Sequence, residues 1–222
     1  MNKHLVVIYP HPDDESFGAS GTISKHREEG IPVTYLCGTL GEMGRNMGNP
    51  TFANRETLST FRKKELLEAC EKLDIQVKML GYRDKTLEFE PMHEVAAHLR
   101  ELLEEIQPHL VITHYPGYAV HPDHDALGAA AVEAVRLMEP ENRPELWAQA
   151  ISNHHEEELG KPDITNDIKP YWEKKMAAIE THLSQAHGMM TLMKNSKAFN
   201  ENMDEQLARL RYERFYKWTF ND

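Results

Sequence analysis

Short apolar runs rich in β-branched residues alternate along this chain with longer stretches whose apolar positions recur at helical spacing. Residues 5–9, Leu-Val-Val-Ile-Tyr, form an unbroken apolar run, which predicts a strand buried on both faces. A helix is expected over 16–29 with Gly30 as its stop, then a strand at 33–37. Residues 38–50 are rich in Gly and Asn and read as a long loop, a length that in a compact domain usually carries function. Leu58, Phe61, Leu66, Ala69 and Leu73 keep helical spacing within 54–73. A strand at 77–80, a helix at 95–106 ahead of Pro108, a strand at 109–113 and an alanine-rich helix at 125–138 follow. A strand is expected at 145–151, helices at 169–193 and 202–210, and an aromatic-rich terminal strand at 211–220. The strand–helix alternation predicts an α/β fold, Rossmann-like, with a mostly parallel sheet and helices on both faces. It runs over 1–222 as a single domain without internal repeat or linker. In such sheets ligands bind beyond the carboxyl ends of the strands, which directs attention to the residues just after Tyr9, Cys37, Leu80 and Thr113.

Composition narrows the class. The 222 residues are 40% hydrophobic and 27% charged, ordinary for a soluble globular chain. The net charge of −11 argues against a nucleic-acid partner, which needs a basic face. Cys37 and Cys70 both sit in apolar patterns and read as small buried hydrophobes, so no disulfide framework is expected and a reducing cytoplasm fits. The first apolar run is too short to span a bilayer and has no cleavage-site pattern, so neither a membrane segment nor a signal peptide is expected.

The chain has 13 histidines, so only position and company promote one to a ligand. His11-Pro12-Asp13-Asp14-Glu15 follows the first strand, and His121-Pro122-Asp123-His124 follows the fourth strand region. Two His and one carboxylate form a normal three-ligand set for a catalytic zinc with a position left for water. Of the adjacent acids Asp13 and Asp14, one can ligate while its neighbour takes a proton from the water; the spacing does not say which. His124 would complete the coordination sphere. His121 would face the substrate carbonyl as an oxyanion partner or proton donor, and Asp123 would hold an imidazole in its tautomer. The bland alternative for each motif is a turn in which an aspartate caps the next helix.

These motifs resemble the two signatures of the PIG-L/LmbE-like zinc N-deacetylases, and the resemblance covers most of the chain. Gly41-Glu42-Met43-Gly44 is similar to the family's Gly-Glu-x-Gly loop, and Arg62-Lys63-Lys64-Glu65-Leu66 to its Arg-x-x-Glu-Leu helix. Gly81-Tyr82-Arg83-Asp84 is similar to a segment carrying a substrate-contacting Asp, and His182-Leu183-Ser184-Gln185 to a late His-x-Ser-Gln element. The resemblance implies one Zn2+ per chain held by His11, Asp14 and His124. It implies Asp13 as general base and His121, with Asp123 behind it, as electrophilic partner. Arg62 and Asp84 fall where the family contacts the sugar; the plain alternative is a surface salt bridge. The loop 41–50 looks like the bacillithiol-biosynthesis branch, which implies N-acetylglucosaminyl-malate as substrate. Arg45 and Arg55 then become candidates for the malate carboxylates. Some members place a tyrosine two residues before the second-motif His; here that position is Ala119, with Tyr118 displaced by one. Family members often form trimers or hexamers, so a homo-oligomer is implied.

Rival readings keep the fold and change the chemistry: deacetylation of chitooligosaccharides, or an amidase acting on bacillithiol S-conjugates. An Fe(II) oxygenase would use a similar ligand set but on a β-barrel. A nucleotide-binding module would need a Gly-x-Gly-x-x-Gly after the first strand, which is not there. His154-His155-Glu156-Glu157-Glu158 reads as a solvated helix start or loop. His114 is placed to line the site, and Met189, Met190 and Met193 read as packing or a subunit contact.

Overall fold

Every residue of Leu5–Tyr9 is buried, and the strand it forms, β1, lies inside a sheet covered on both faces. The computed structural model describes residues 3–186 and 210–220. β1 is followed by α1 (Asp14–Gly18), α2 (Ser20–Glu28), β2 (Val33–Cys37), α3 (Leu58–Leu73), β3 (Gln76–Met79), α4 (Met92–Ile106) and β4 (Leu110–His114). Then come α5 (Pro122–Arg136), β5 (Glu145–Gln149), α6 (His155–Leu159), β6 (Ile164–Asp167), α7 (Trp172–Ile179) and β7 (Tyr212–Lys217). The strand order is β3-β2-β1-β4-β5-β7-β6. β1 to β5 pair in parallel, and β7 runs antiparallel to both β5 and β6.

The period of two along β1 divides the core. Val6 and Ile8 pack with Val95 and Leu99 of α4 and Leu127 of α5. Leu5, Val7 and Tyr9 face Ile23 of α2, Leu66 of α3, Ala178 of α7 and Phe215 of β7. β1 is flanked by β2 on one side and β4 on the other, so the direction of winding reverses there. That reversal opens a crevice beyond the ends of β1 and β4, where both motifs emerge.

Several boundaries differ from the sequence expectation. The helix expected over 16–29 begins at Asp14 and breaks at Ala19, whose φ and ψ are −139° and 0°. The break frees the N–H groups of Gly21 and Thr22, which donate to the Glu213 carboxylate of β7 at 2.8 and 2.7 Å. A Cβ on Gly21 would stand 2.4 Å from Ile168, so the glycine lets α2 pack close. α3 starts at Leu58 because the Asn54 side chain accepts from the N–H groups of Glu56 and Thr57, a turn before the helix. α5 starts at Pro122, taking the second motif into its first turn. The helix expected over 169–193 is a short 3₁₀ turn followed by α7, which ends at Ile179, and helical residues return at 183–186; residues 187–193 lie outside the described residues. α6 falls on the segment read as a helix start or loop, and β6 was not foreseen. The 202–210 helix lies almost entirely outside the described residues, as do Met189, Met190 and Met193. No helix among the described residues is long and apolar enough to cross a membrane.

Candidate metal centre

The first loop is turned by Asp13, whose φ of 118° is a conformation L-residues rarely adopt. Its carbonyl accepts from the N–H groups of Ser16 and Phe17 to begin α1, but its carboxylate makes no capping bond. That side chain lies 3.3 Å from the Arg62 guanidinium. Tyr35 Oη donates to the His11 carbonyl at 2.6 Å and anchors the loop to β2. The second loop turns at Val120, a β-branched residue at φ 55°, and Asp125 accepts from the N–H groups of Gly117 and Ala119. His121 is the N-cap of α5, its Nδ1 accepting from the Asp123 N–H at 3.1 Å. Asp13 is thus the N-cap residue of α1 but does not cap with its side chain, and Asp123 does not cap α5.

These two loops bring His11, Asp14 and His124 together. His11 Nδ1 lies 3.1 Å from His124 Nε2 and 3.4 Å from Asp14 Oδ2; His124 Nε2 lies 3.4 Å from Asp14 Oδ1. The far side of each ring decides its tautomer. His11 Nε2–H faces the carboxylates of Asp123 and Asp84, each at 3.2 Å. His124 Nδ1–H donates to the Ala119 carbonyl at 3.1 Å. The nitrogens turned toward each other therefore both present lone pairs, beside a carboxylate, which is repulsive unless a cation or a proton sits among them. Tetrahedral zinc with N and O ligands at roughly 2.0–2.2 Å holds its ligand atoms about 3.3 Å apart, so the donor set fits such an ion. The two imidazoles face different oxygens of Asp14. Among the described residues, three other triads bring one ligand atom per residue within 4.8 Å of one another: His11 with His121 and His124, Asp14 with His114 and His124, and His11 with Asp84 and Asp123. In the first, His121 Nδ1 already accepts a bond, which leaves Nε2 as a donor. In the last, Met43, Lys85 and Leu87 N–H groups already bind the carboxylates. His114 stacks face to face behind His124, ring centroids 4.1 Å apart, and is buried rather than lining the cleft.

The electrostatics separate the two neighbouring aspartates. Burial, opposed by Arg62 and reinforced by the Asp14 charge, pushes the Asp13 carboxyl up to about 6. Burial acts on Asp14 too, but His124 and His11 outweigh it and hold its carboxyl well below the usual range. Burial would lower His11, yet its bonds to Asp123, Asp14 and Asp84 hold its pKa well above the ordinary histidine value. Burial, with His11 and His124 nearby, lowers His121, so its ring is neutral with a proton on Nε2.

Residues 6–135, more than half of the chain, match the family described as PIG-L: GlcNAc-PI de-N-acetylase. The chain belongs to the PIG-L family. Among its relatives is a Bacillus subtilis (strain 168) protein named "Probable N-acetyl-alpha-D-glucosaminyl L-malate deacetylase 2", 48% identical over 202 residues, 90% of this chain and 91% of that one. The N,N'-diacetylchitobiose deacetylase of Pyrococcus horikoshii superposes with a TM-score of 0.73 at 25% identity, covering 97% of this chain and 84% of that one. A 4-carboxy-2-hydroxymuconate hydratase from Pseudomonas putida shares the fold at a TM-score of 0.75 and 20% identity, covering 99% and 98%. The PIG-L fold alone thus does not choose the chemistry.

The remaining expected residues of this PIG-L chain are divided. Arg62 and Asp84 are buried, not surface salt bridges. Arg62 donates to the carbonyls of Gly41 and Pro12, and Asp84 bonds His11 and the Met43 N–H. Both reach a cleft of about 440 Å3 that also takes in Asp13, His121 and, at its rim, the exposed Arg45. Arg55 does not line it. The Asp123 carboxylate stands behind His11 rather than His121: it contacts His11 Nε2 and accepts from the Lys85 and Leu87 N–H groups, and only the Asp123 backbone N–H reaches His121. Tyr118 Oη donates to Glu158, so that tyrosine's hydroxyl is engaged away from the metal-ligand candidates. Lys85 lines the cleft and was not foreseen; no motif marks it. Two larger clefts, of about 510 and 560 Å3, contain none of the metal-ligand candidates.

Proposed function

We propose that this PIG-L protein is a zinc-dependent hydrolase that removes the N-acetyl group from an N-acetylglucosamine conjugate, N-acetylglucosaminyl-malate foremost. The observation that carries the reading is the convergence of three lone-pair-bearing ligand atoms beside a carboxylate, Asp13, that is not one of them. His11, Asp14 and His124 would hold one zinc ion per chain. When bound there, zinc supplies Lewis acidity that brings the pKa of water toward about 7 and polarises a carbonyl.

The chain's own groups supply the rest. Asp13, pinned by Arg62, accepts the proton of the attacking water. His121, neutral, offers its Nε2–H to the oxygen of the tetrahedral intermediate. An imidazolium donor is disfavoured by its lowered pKa, so the proton held by Asp13 is the one passed to the leaving amine. The C–N bond breaks, the amine takes that proton, and acetate leaves with the oxygen of the water. Asp123 and Asp84 fix the His11 ring, and Arg45 at the rim meets the malate carboxylates. The relatives' names support the sugar, and the Bacillus subtilis protein supports malate over chitobiose. Two buried free thiols, Cys37 and Cys70, support a reducing cytoplasm as the working compartment.

The test is acetate release from N-acetylglucosaminyl-malate, diacetylchitobiose and a bacillithiol S-conjugate, with and without chelator. We expect the malate conjugate to be turned over fastest and chelation to abolish release. Preference for the disaccharide or the S-conjugate would replace the substrate, and chelator-insensitive release would end the metal reading.

A further inference from the structure

Asp13 is held in its rare backbone conformation by groups that lie behind the cleft. Its N–H donates to Glu15 Oε2 at 3.0 Å. The other Glu15 oxygen accepts from Ser16 Oγ at 2.6 Å and from His182 Nε2 at 2.9 Å. Glu15 and His182 are fully buried. His182 comes from the far part of the chain and is followed by Ser184, whose N–H and Oγ donate to Glu65 of α3 at 2.8 and 2.5 Å. The same helix carries Arg62, which grips the Pro12 carbonyl and the Asp13 carboxylate. Asp13 is thus held twice by one frame, through its side chain by Arg62 and through its backbone by Glu15.

We propose that Glu15 and His182 are positioning residues for the hydrolysis: the pair fixes the Asp13 backbone so that its carboxylate faces the reacting water. A buried ionisable pair one residue from a metal ligand would serve folding equally well if it touched only carbon. Here one carboxylate oxygen is committed to the single N–H whose direction sets the strained turn, and the other is committed to the histidine that holds it. Without that acceptor, Asp13 is free to relax toward an ordinary φ, and relaxation swings its side chain. The proposal rests on Asp13 being the base.

The test is steady-state kinetics on the zinc-loaded protein, with zinc content measured for each variant. Glu15→Asp keeps the charge for His182 but falls one methylene short of the Asp13 N–H, and Glu15→Ala and His182→Ala remove the hold. Displacing a reacting group by roughly 1 Å costs on the order of a hundredfold in rate, so kcat should fall by about that factor with KM and zinc content unchanged. Glu15→Gln keeps an acceptor oxygen for the N–H and should recover to within about tenfold of wild type. Combined with Asp13→Asn, Glu15→Asp should have almost no further effect, because the two changes act through one group. Unchanged kcat in Glu15→Asp, loss of zinc, a rise in KM alone, or the same loss in the Asp13→Asn background overturns the proposal. Full activity of Asp13→Asn by itself would instead overturn the assignment of the base. If the alanine variants do not fold, Glu15→Asp and Glu15→Gln decide.

Discussion

Asp13 and Asp14 are adjacent in sequence and pushed in opposite directions by their surroundings, one raised to about 6 and the other held low. Carboxyls separated in this way divide naturally into proton acceptor and permanent anion. Asp13→Asn should therefore retain zinc and lose about 10²–10⁴ in kcat; near-normal turnover would remove Asp13 from the mechanism. A base works only when ionised, and a neighbouring cation favours ionisation. The acid limb of kcat/KM should thus rise with pH and level off at or below about pH 6. Its position can be read from a pH–rate profile, and a limb well above that value would point to another group. His11, with its raised pKa, holds a proton where the metal would bind. Apparent zinc affinity should climb by about tenfold per pH unit until the pH passes the His11 pKa and flatten beyond it. Competition titrations with a zinc chelator across pH measure this. The sequence offered the residue types at this scale. It could not offer the choice between the aspartates, because that follows from φ at Asp13 and from which ring nitrogens are already bonded.

The break between α1 and α2 is invisible in the periodicity of residues 16–29, because its cause lies on β7. Glu213 accepts from the first N–H groups of α2 and from Lys175 Nζ at 2.7 Å. Lys175 also donates to the Phe17 carbonyl at the end of α1. Both charged residues are about 1% exposed. Removing one member of a buried pair strands the other, at roughly 3–5 kcal/mol. We predict that cost for Glu213→Leu, which strands the ammonium and two helix N–H groups, and a smaller one for Lys175→Met, which leaves the carboxylate its backbone donors. Urea unfolding of the two variants ranks them, and equal midpoints would contradict the capping role. α5 shows the same logic at its start. Pro122 occupies its first position, three residues before the expected start, and that His121 caps it needed the fold of the second loop.

The whole sheet ties distant segments to the candidate metal centre. The strands β1, β2 and β4 were predicted within a residue or two because every residue in them is buried and turn residues bound them. The terminal strand was predicted as an element, yet nothing local said that it would insert antiparallel between β5 and β6. The His182–Glu15 contact has a stability consequence. Burial lowers the His182 pKa, but Glu15 outweighs it, so the folded value lies above the unfolded value of 6.5. Its contribution is then complete below pH 6.5 and fades as the pH rises through the folded pKa. The urea midpoint of the metal-free protein should fall across that range, and less so in His182→Gln. An identical pH dependence in both proteins would show that the pair does not stabilise the fold.

By itself the sequence determined the alternation of strands and helices, the two strand-end motifs and the family they belong to. Each of these is written in residue type and short-range spacing, which the chain carries before it folds. The tertiary structure decided which nitrogen of His11 and of His124 faces inward, that Asp123 supports His11 rather than His121, and that Glu15 reaches His182. Those outcomes depend on hydrogen bonds between atoms far apart along the chain. No local pattern encodes such bonds; they exist only once the sheet has brought the ends of β1 and β4 together.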